Sequence, residues 1–261
     1  MGLFSDCLFG CDIDGTLLEK GASVLSEETA DALGALVSAG KKVALASGRS
    51  YYSMRRVTEH LPFADALYYI CDDGAICVYG GKTLYHKPLS IENLLKFDRN
   101  PAYSGCPVLY FSDTFSYVTG ATPEFLELIK ENGVDAVHPI SGIYEIKEPV
   151  YKIGVYGGLN RPEPLLPRPF DLRICYHADG WLEYASRFAD KGLAVSDLQM
   201  RLYLSKFDTA ALGDGENDLT MFAKAKVAFA RRGGHEGLEA AATDTFACGE
   251  AADVLKRLAD K

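Results

Sequence analysis

Leu8-Phe9-Gly10-Cys11-Asp12-Ile13-Asp14-Gly15-Thr16-Leu17-Leu18 is an apolar run that stops at two carboxylates spaced i, i+2 and then meets a glycine. Such a run reads as a buried strand, with the glycine allowing a sharp turn at its end. In open α/β sheets ligands sit beyond the carboxyl ends of the strands, so Asp12 and Asp14 are expected to face a crevice. Paired carboxylates there suit a hard cation, Mg²⁺ before others. Asp-x-Asp-Gly also opens calcium loops and ordinary turns. A calcium loop would need a closing Glu at position 23, which is Ser23.

Working outward, Ser26 caps a helix expected to run through Ala39, with Ala30, Leu33, Leu36 and Val37 as its apolar face and Gly40 ending it. Val43-Ala44-Leu45-Ala46 forms a second strand that ends in Ser47-Gly48-Arg49. A helix from Ser50 to His60 and a strand from Ala66 to Cys71 follow. This alternation predicts an α/β fold with a doubly wound parallel sheet and right-handed crossovers. Ile76–Val78 and Thr83–Tyr85 flank Gly80-Gly81 as a hairpin.

From residue 89 the alternation stops. Short strands (Val108–Phe111, Tyr151–Tyr156, Leu172–Tyr176, Trp181–Tyr184), a helix opened by Thr122-Pro123-Glu124 and a proline-rich loop from Arg161 to Phe170 indicate an α+β insertion. Alternation resumes with a helix from Lys191 to Leu204, the strand Thr209–Gly213 and a helix over Leu219–Ala225. Val227–Ala230, a helix near 236–242, Thr245–Ala247 and a helix over Ala251–Ala259 complete the chain. Residues 1–88 and 187–261 are therefore expected to form one core, with 89–186 inserted as a cap.

The 261 residues are ample for such an arrangement, and 48% hydrophobic with 24% charged residues excludes a disordered chain. A formal charge of −9 argues against nucleic acid or an anionic membrane as main partner. The seven cysteines, at positions 7, 11, 71, 77, 106, 175 and 248, contain no C-x-x-C pair and lie largely in apolar runs. They read as reduced core thiols, which suits a cytoplasmic protein. The expectation is a protein neither exported nor membrane-inserted, a monomer or homodimer. The insertion's two histidines, His138 and His177, are too scattered for a zinc site.

Strand ends thus bring Asp12, Asp14, Ser47, Asp214 and Asp218 to one edge of the sheet, and Lys191 opens the helix just before the last of them. A carboxylate can attack phosphorus, a second can protonate the leaving oxygen, and Ser and Lys donors can hold the transferring oxygens. In this order the motifs resemble those of the haloacid dehalogenase (HAD) superfamily phosphatases, of the Cof-like subfamily IIB with a C2-type cap. Asp12-Ile13-Asp14-Gly15-Thr16 is similar to the first motif, Ala46-Ser47-Gly48-Arg49 to the second, Lys191-Gly192 to the third and Gly213-Asp214-Gly215-Glu216-Asn217-Asp218 to the fourth.

The resemblance implies a Rossmann-like HAD core and an Mg²⁺-dependent phosphatase acting on a small phosphorylated metabolite. It implies Asp12 as nucleophile, Asp14 as general acid/base and Lys191 as a catalytic cation. Ser47, Gly48, Lys191 and Asn217 would contact phosphate. The Asp12 side chain, the Asp14 main-chain carbonyl and the Asp214 side chain would hold the metal, while Asn217 and Asp218 orient Lys191 and the metal waters. Arg49 and Asp73 are further candidates for substrate contact.

Two departures stand out. Asp72-Asp73-Gly74-Ala75 replaces Asn-Gly-Ala and is expected as a polar turn. Ala230-Arg231-Arg232-Gly233-Gly234-His235 replaces Gly-Asn-Ala, with Arg231 and Arg232 expected at the solvated surface and approach to a substrate anion as the alternative. A phosphomutase, or a non-catalytic phosphate-binding protein, are rival readings. Pure binding would not require both a nucleophile and an acid/base.

Overall fold

The computed structural model describes residues 7–19, 21–131, 134, 136–157, 171–178 and 180–259. Their contacts divide into two compact units, residues 1–86 with 190–261, and residues 87–189. In the first unit β1 (Leu8–Asp12), α1 (Glu27–Ser38), β2 (Lys42–Ala46), α2 (Tyr51–Thr58) and β3 (Tyr68–Cys71) follow the expected alternation. The hairpin of β4 (Ile76–Tyr79) and β5 (Lys82–His86) comes next.

The second unit holds α3 (Ile91–Asp98), β6 (Val108–Ser112), β7 (Ser116–Thr119), α4 (Pro123–Glu131), β8 (Val137–Pro139), β9 (Val150–Tyr156), β10 (Leu172–Ala178) and β11 (Trp181–Ser186). The chain then re-enters the first unit through α5 (Lys191–Leu202), β12 (Thr209–Gly213), α6 (Leu219–Phe222), β13 (Val227–Arg231), α7 (Glu236–Ala241), β14 (Asp244–Phe246) and α8 (Ala251–Ala259).

The first unit's eight-stranded sheet has the order β14-β13-β12-β1-β2-β3-β4-β5, parallel from β14 to β3 and antiparallel in the terminal hairpin. Winding proceeds one way from β1 to β2 and the other way through β12. The switch point therefore lies between β1 and β12, where an open α/β sheet places its ligand. Alternate side chains define the two faces. Leu8, Ala44, Ala46, Ile70, Ala211 and Ala228 share a core cluster with Ala194, Val195 and Leu198 of α5 and Met221 and Phe222 of α6. Small residues on these strands let the α5–α6 layer approach closely.

Helix α1 starts where expected, with the Ser26 hydroxyl accepting from the Thr29 amide. Its buried face is Thr29, Ala32, Leu33 and Leu36, one residue round from the expected stripe, so Ala30 and Val37 are only half-buried. The expected helix over Leu219–Ala225 is confined to Leu219–Phe222, because the preceding three residues form a 3-10 turn and the chain leaves directly for β13.

The second unit is a six-stranded sheet ordered β10-β11-β9-β6-β7-β8, antiparallel but for the β7–β8 pair. Val108 and Tyr110 of β6 join Leu94 and Phe97 of α3 in one apolar cluster, whereas Leu109 and Phe111 join Phe125 and Ile129 of α4 in another. Period-two alternation thus puts the two helices on opposite faces. The sequence reading lacked α3, β7 and β8. The proline-rich loop expected over Arg161–Phe170 lies outside the described residues.

One glycine shows how tightly α5 is clamped. The Gly192 amide donates to Thr220 Oγ1 at 3.1 Å, and a Cβ on Gly192 would stand 2.2 Å from the Thr220 carbonyl oxygen. Alanine in a helix interior ordinarily stabilises by about 1 kcal/mol over glycine. Gly192→Ala is expected to do the reverse and cost about 2 kcal/mol or more, because backbone rather than a mobile side chain must move. Thermal unfolding of the variant checks the sign.

Candidate active site

The turn after β1 is built by one acceptor. The Ile13 carbonyl takes the amides of Thr16, Leu17 and Leu18 at 3.2, 3.0 and 2.8 Å, and Gly15 adopts φ +84°. A Cβ on Gly15 would sit 2.3 Å from Asp214 Oδ2, so this glycine is needed both for its conformation and for the approach of the loop after β12. Gly213 serves that loop in the same way, since its Cβ would meet Asp218 Cγ at 2.6 Å.

These turns deliver Asp12, Asp214 and Asp218 to one cluster, with carboxylate oxygens all within 4.8 Å of one another. Lys191, the first residue of α5, enters it with its side chain fully buried. Its Nζ donates to Asp12 Oδ1 at 2.6 Å and to Asp218 Oδ1 at 2.7 Å. Asp218 is held on its other oxygen by the amides of Asp214 and Gly215 at 3.0 and 3.1 Å. Burial alone would lower the Lys191 pKa, but the charges of Asp12, Asp218 and Asp73 outweigh it and hold the ammonium well above its ordinary value.

Asp12 is the asymmetric member. Oδ1 is engaged by Lys191, whereas Oδ2 is buried with no hydrogen-bond partner among the described residues. Burial pushes its pKa well above the carboxylate range against the pull of Lys191, and Asp218 and Asp214 add to the rise. A buried oxygen without a donor is costly unless something else meets it. Asp214, close by, accepts from Thr16 Oγ1 at 3.3 Å and from Arg231 Nη2 at 3.0 Å. Asp218 is committed to Lys191 and the backbone, so a hard cation fits Asp12 and Asp214, an all-oxygen donor set.

The second group lies at the end of β2. Arg49 closes a fork on Asp14, Nη2 to Oδ1 at 2.6 Å and Nε to Oδ2 at 2.8 Å, and Ser47 Oγ donates to Asp14 Oδ2 at 3.2 Å. The bond to Asp14 raises the Arg49 pKa against the opposing effect of burial. Asp14 is half exposed, unlike Asp12. The segment after β3 is stitched onto this loop: the Asp72 amide donates to the Arg49 carbonyl and the Asp73 amide to the Ser47 carbonyl, at 2.9 and 3.1 Å. Asp73 abuts Gly48, where a Cβ would lie 3.2 Å from its Oδ2.

Several expectations are revised by this geometry. Asn217 does not reach Lys191; its Nδ2 donates to Asp73 Oδ1 at 2.9 Å, and Asp218 is the residue of the pair that orients the lysine. Ser47 and Arg49 are engaged with Asp14. Asp72 and Asp73 form a turn, as expected, that is buried and has positive φ at both residues. Arg231 is turned in toward Asp214, and only Arg232 is exposed, beside Glu250 at 3.4 Å. Thr16 was missed as a site residue, and Arg231, considered for a substrate anion, meets Asp214 instead. Thr16 stands inside the decisive stretch, and its hydroxyl was the available signal. For Arg231 nothing local distinguishes it from its neighbour; the turn after β13 does.

A family model described as haloacid dehalogenase-like hydrolase matches residues 9–257. The HMP-PP phosphatase of Yersinia pestis is 26% identical over 227 residues, which cover 82% of this chain and 79% of the relative. A haloacid dehalogenase-like hydrolase from Bacteroides thetaiotaomicron has the same fold, with a TM-score of 0.86 at 19% identity over 97% of this chain and 99% of that one. A HAD subclass IIB sugar phosphatase gives 0.82 at 20% identity, over 97% and 98%.

Removing Lys191 would leave buried carboxylates uncompensated, which typically costs about 3–5 kcal/mol. Lys191→Met is expected to destabilise by that order, and Asp12→Asn added to it to restore part of the loss. The sign with pH follows from Asp12. Its folded pKa is raised above its unfolded value, so its contribution is present at low pH and lost as pH rises through the folded pKa. Lys191→Met accentuates this, and its unfolding midpoint should fall further below that of wild type as pH rises above the ordinary carboxylate range. A parallel pH dependence of the two proteins would contradict the account.

Proposed function

The chain belongs to the haloacid dehalogenase-like hydrolase family, and on that premise we propose that it is a phosphatase of the Cof-like subclass IIB type that hydrolyses a small phosphorylated metabolite by attack of Asp12 on phosphorus. The observation that carries the proposal is the asymmetry of Asp12. Lys191 fixes one oxygen at 2.6 Å, and the other is buried with no partner among the described residues. A nucleophile held by one atom and unsatisfied at the other is oriented before substrate arrives.

In the first step the Asp12 oxygen forms a bond to phosphorus as the bond to the leaving oxygen breaks, and a proton passes from Asp14 to that oxygen. In the second, water attacks phosphorus, Asp14 takes its proton and the aspartyl phosphate opens to release phosphate and regenerate Asp12. Asp14 enters this cycle by leaving the Arg49 fork. Ser47, Gly48 and Lys191 are the candidates to hold the transferring oxygens, and Arg49, once released, a fourth. Asp12, Asp214 and the main-chain carbonyl of Asp14 would hold Mg²⁺. Bound there, the ion would neutralise charge between the carboxylate and the phosphoryl group.

The names of the relatives, HMP-PP phosphatase and sugar phosphatase, support small phosphorylated metabolites as the substrate class. We assign selection among them to the inserted unit and place the enzyme in the cytoplasm. The buried thiols of Cys11, Cys71 and Cys77, outside any disulfide among the described residues, support the second assignment. No helix among the described residues is long and apolar enough to cross a membrane.

Phosphate release from a panel of sugar phosphates, nucleotides and phosphorylated cofactors, with Mg²⁺ or with EDTA, tests the reading. Asp12→Asn should lower the rate by about 10³-fold or more, as expected when a nucleophile acting within a concerted set is removed, while thermal unfolding shows a folded protein. Release that survives the substitution excludes Asp12 as nucleophile. Asp14→Asn should cost more with alkyl phosphates than with nitrophenyl phosphate, whose leaving group needs no proton. An equal loss on both removes Asp14 from the acid role.

A further inference from the structure

Arg231 stands where the resemblance has no cation, and its guanidinium approaches Asp214, one of the two side chains proposed to hold the metal. Three observations define the contact. Nη2 donates to Asp214 Oδ2 at 3.0 Å, and both side chains are largely shielded from solvent. Nε is buried with no partner among the described residues, so the fork is only half used, in contrast to the two-point grip of Arg49 on Asp14. The same Asp214 oxygen is pressed from its other side by Gly15, where a Cβ would lie 2.3 Å away.

The position is fixed by backbone. Arg231 ends β13, in register with Phe246 of β14, and the turn beyond it is fastened under the β12 loop by the His235 amide, which donates to the Asp214 carbonyl at 2.8 Å. A Cβ on Gly234 would meet that carbonyl oxygen at 2.4 Å, so only glycine lets the turn lie this close to Asp214. Arg231 is therefore delivered to this carboxylate by the fold.

We infer that Arg231 is a tethered cation that competes with the metal for Asp214 and thereby weakens metal binding. The inference rests on the proposed metal site at Asp12 and Asp214. A guanidinium and a divalent ion on one carboxylate repel each other in a medium of low dielectric, and neutralising the ligand in advance removes part of its attraction for the ion. Before the ion arrives, Arg231 compensates the acidic cluster. Metal entry is thus an exchange of one positive charge for another, and Arg231 is a positioning residue that sets the ion concentration at which the exchange occurs.

Calorimetric titration of Mg²⁺ into the metal-free full-length chain, without substrate, tests this. Arg231→Gln keeps a donor and removes the charge, Arg231→Lys keeps the charge, and Asp12→Asn removes a proposed ligand. The expected result is an Mg²⁺ Kd about tenfold lower in Arg231→Gln, equivalent to about 1.4 kcal/mol, with Arg231→Lys near wild type and Asp12→Asn weakened. Simple structural damage would weaken binding, so tightening separates competition from support. Binding in wild type that is lost in Asp12→Asn but unchanged or weaker in Arg231→Gln overturns the role of Arg231 and leaves the metal site standing. Binding that is absent from wild type and from Arg231→Gln, or indifferent to Asp12→Asn, overturns the metal site and the inference with it.

Discussion

A single buried ammonium connects three parts of this protein that lie far apart in the chain. Lys191 joins Asp12, 179 residues before it, to Asp218, 27 residues after it. Desolvating one charge is costly, and desolvating three is tolerated only with near-ideal contacts and further donors on the remaining oxygens. Asp218 has those donors in the amides of Asp214 and Gly215. Asp12 lacks one on Oδ2. The imbalance stays local because α5 is clamped to α6 at Gly192 and β1 lies between two hydrogen-bonded neighbours. The sheet thus holds an arrangement that its own side chains do not fully satisfy, as expected where charge is to be met by a ligand.

The same logic extends to the surrounding loops. Asp12, Asp73, Asp214 and Asp218 are four carboxylates with Lys191 and Arg231 as the cations described beside them. Crowding of carboxylates in a buried site is the electrostatic case for a cation independent of any motif. Holding Asp73 there also requires strain. Asp72, Asp73 and Gly74 take φ of 48°, 54° and 92° in succession, a conformation that costs about 1–3 kcal/mol for each non-glycine residue. Amide bonds to Ser47 and Arg49 and the Asn217 side chain offset that cost and tie the loops after β2, β3 and β12 into one unit.

Much of this was legible in the sequence where local chemistry and long-range order agree. Apolar runs ending in Asp12, Ser47 and Asp214 mark strand ends, and their order along the chain is enough to place them on one sheet edge. Partners were harder to read than places. Asn217 and Asp218 are adjacent in a motif, yet a 3-10 turn sends one to Asp73 and the other to Lys191. Arg231 and Arg232 are likewise adjacent, and the turn that begins where β13 ends directs one to Asp214 and leaves the other exposed. In the insertion, β7 and β8 escaped because three- and four-residue strands show too little alternation to separate from loop.

The two arginines and the lysine also separate fixed from movable chemistry. Lys191 has no exposed surface on its side chain, and its contacts lie where water cannot substitute for them, so it keeps its place through a reaction cycle. Arg49 on Asp14 is the opposite case. Its fork has better geometry, but the side chains are 31% and 48% exposed, and ion pairs in such surroundings are worth about 0–1 kcal/mol because solvent replaces what is lost on opening. An acid/base must change partners as its proton comes and goes, whereas the residue that aims a nucleophile must not. In the cycle proposed above, burial more than bond length separates the two parts. Arg231 falls between them, shielded but monodentate, where a competing cation can displace it from Asp214.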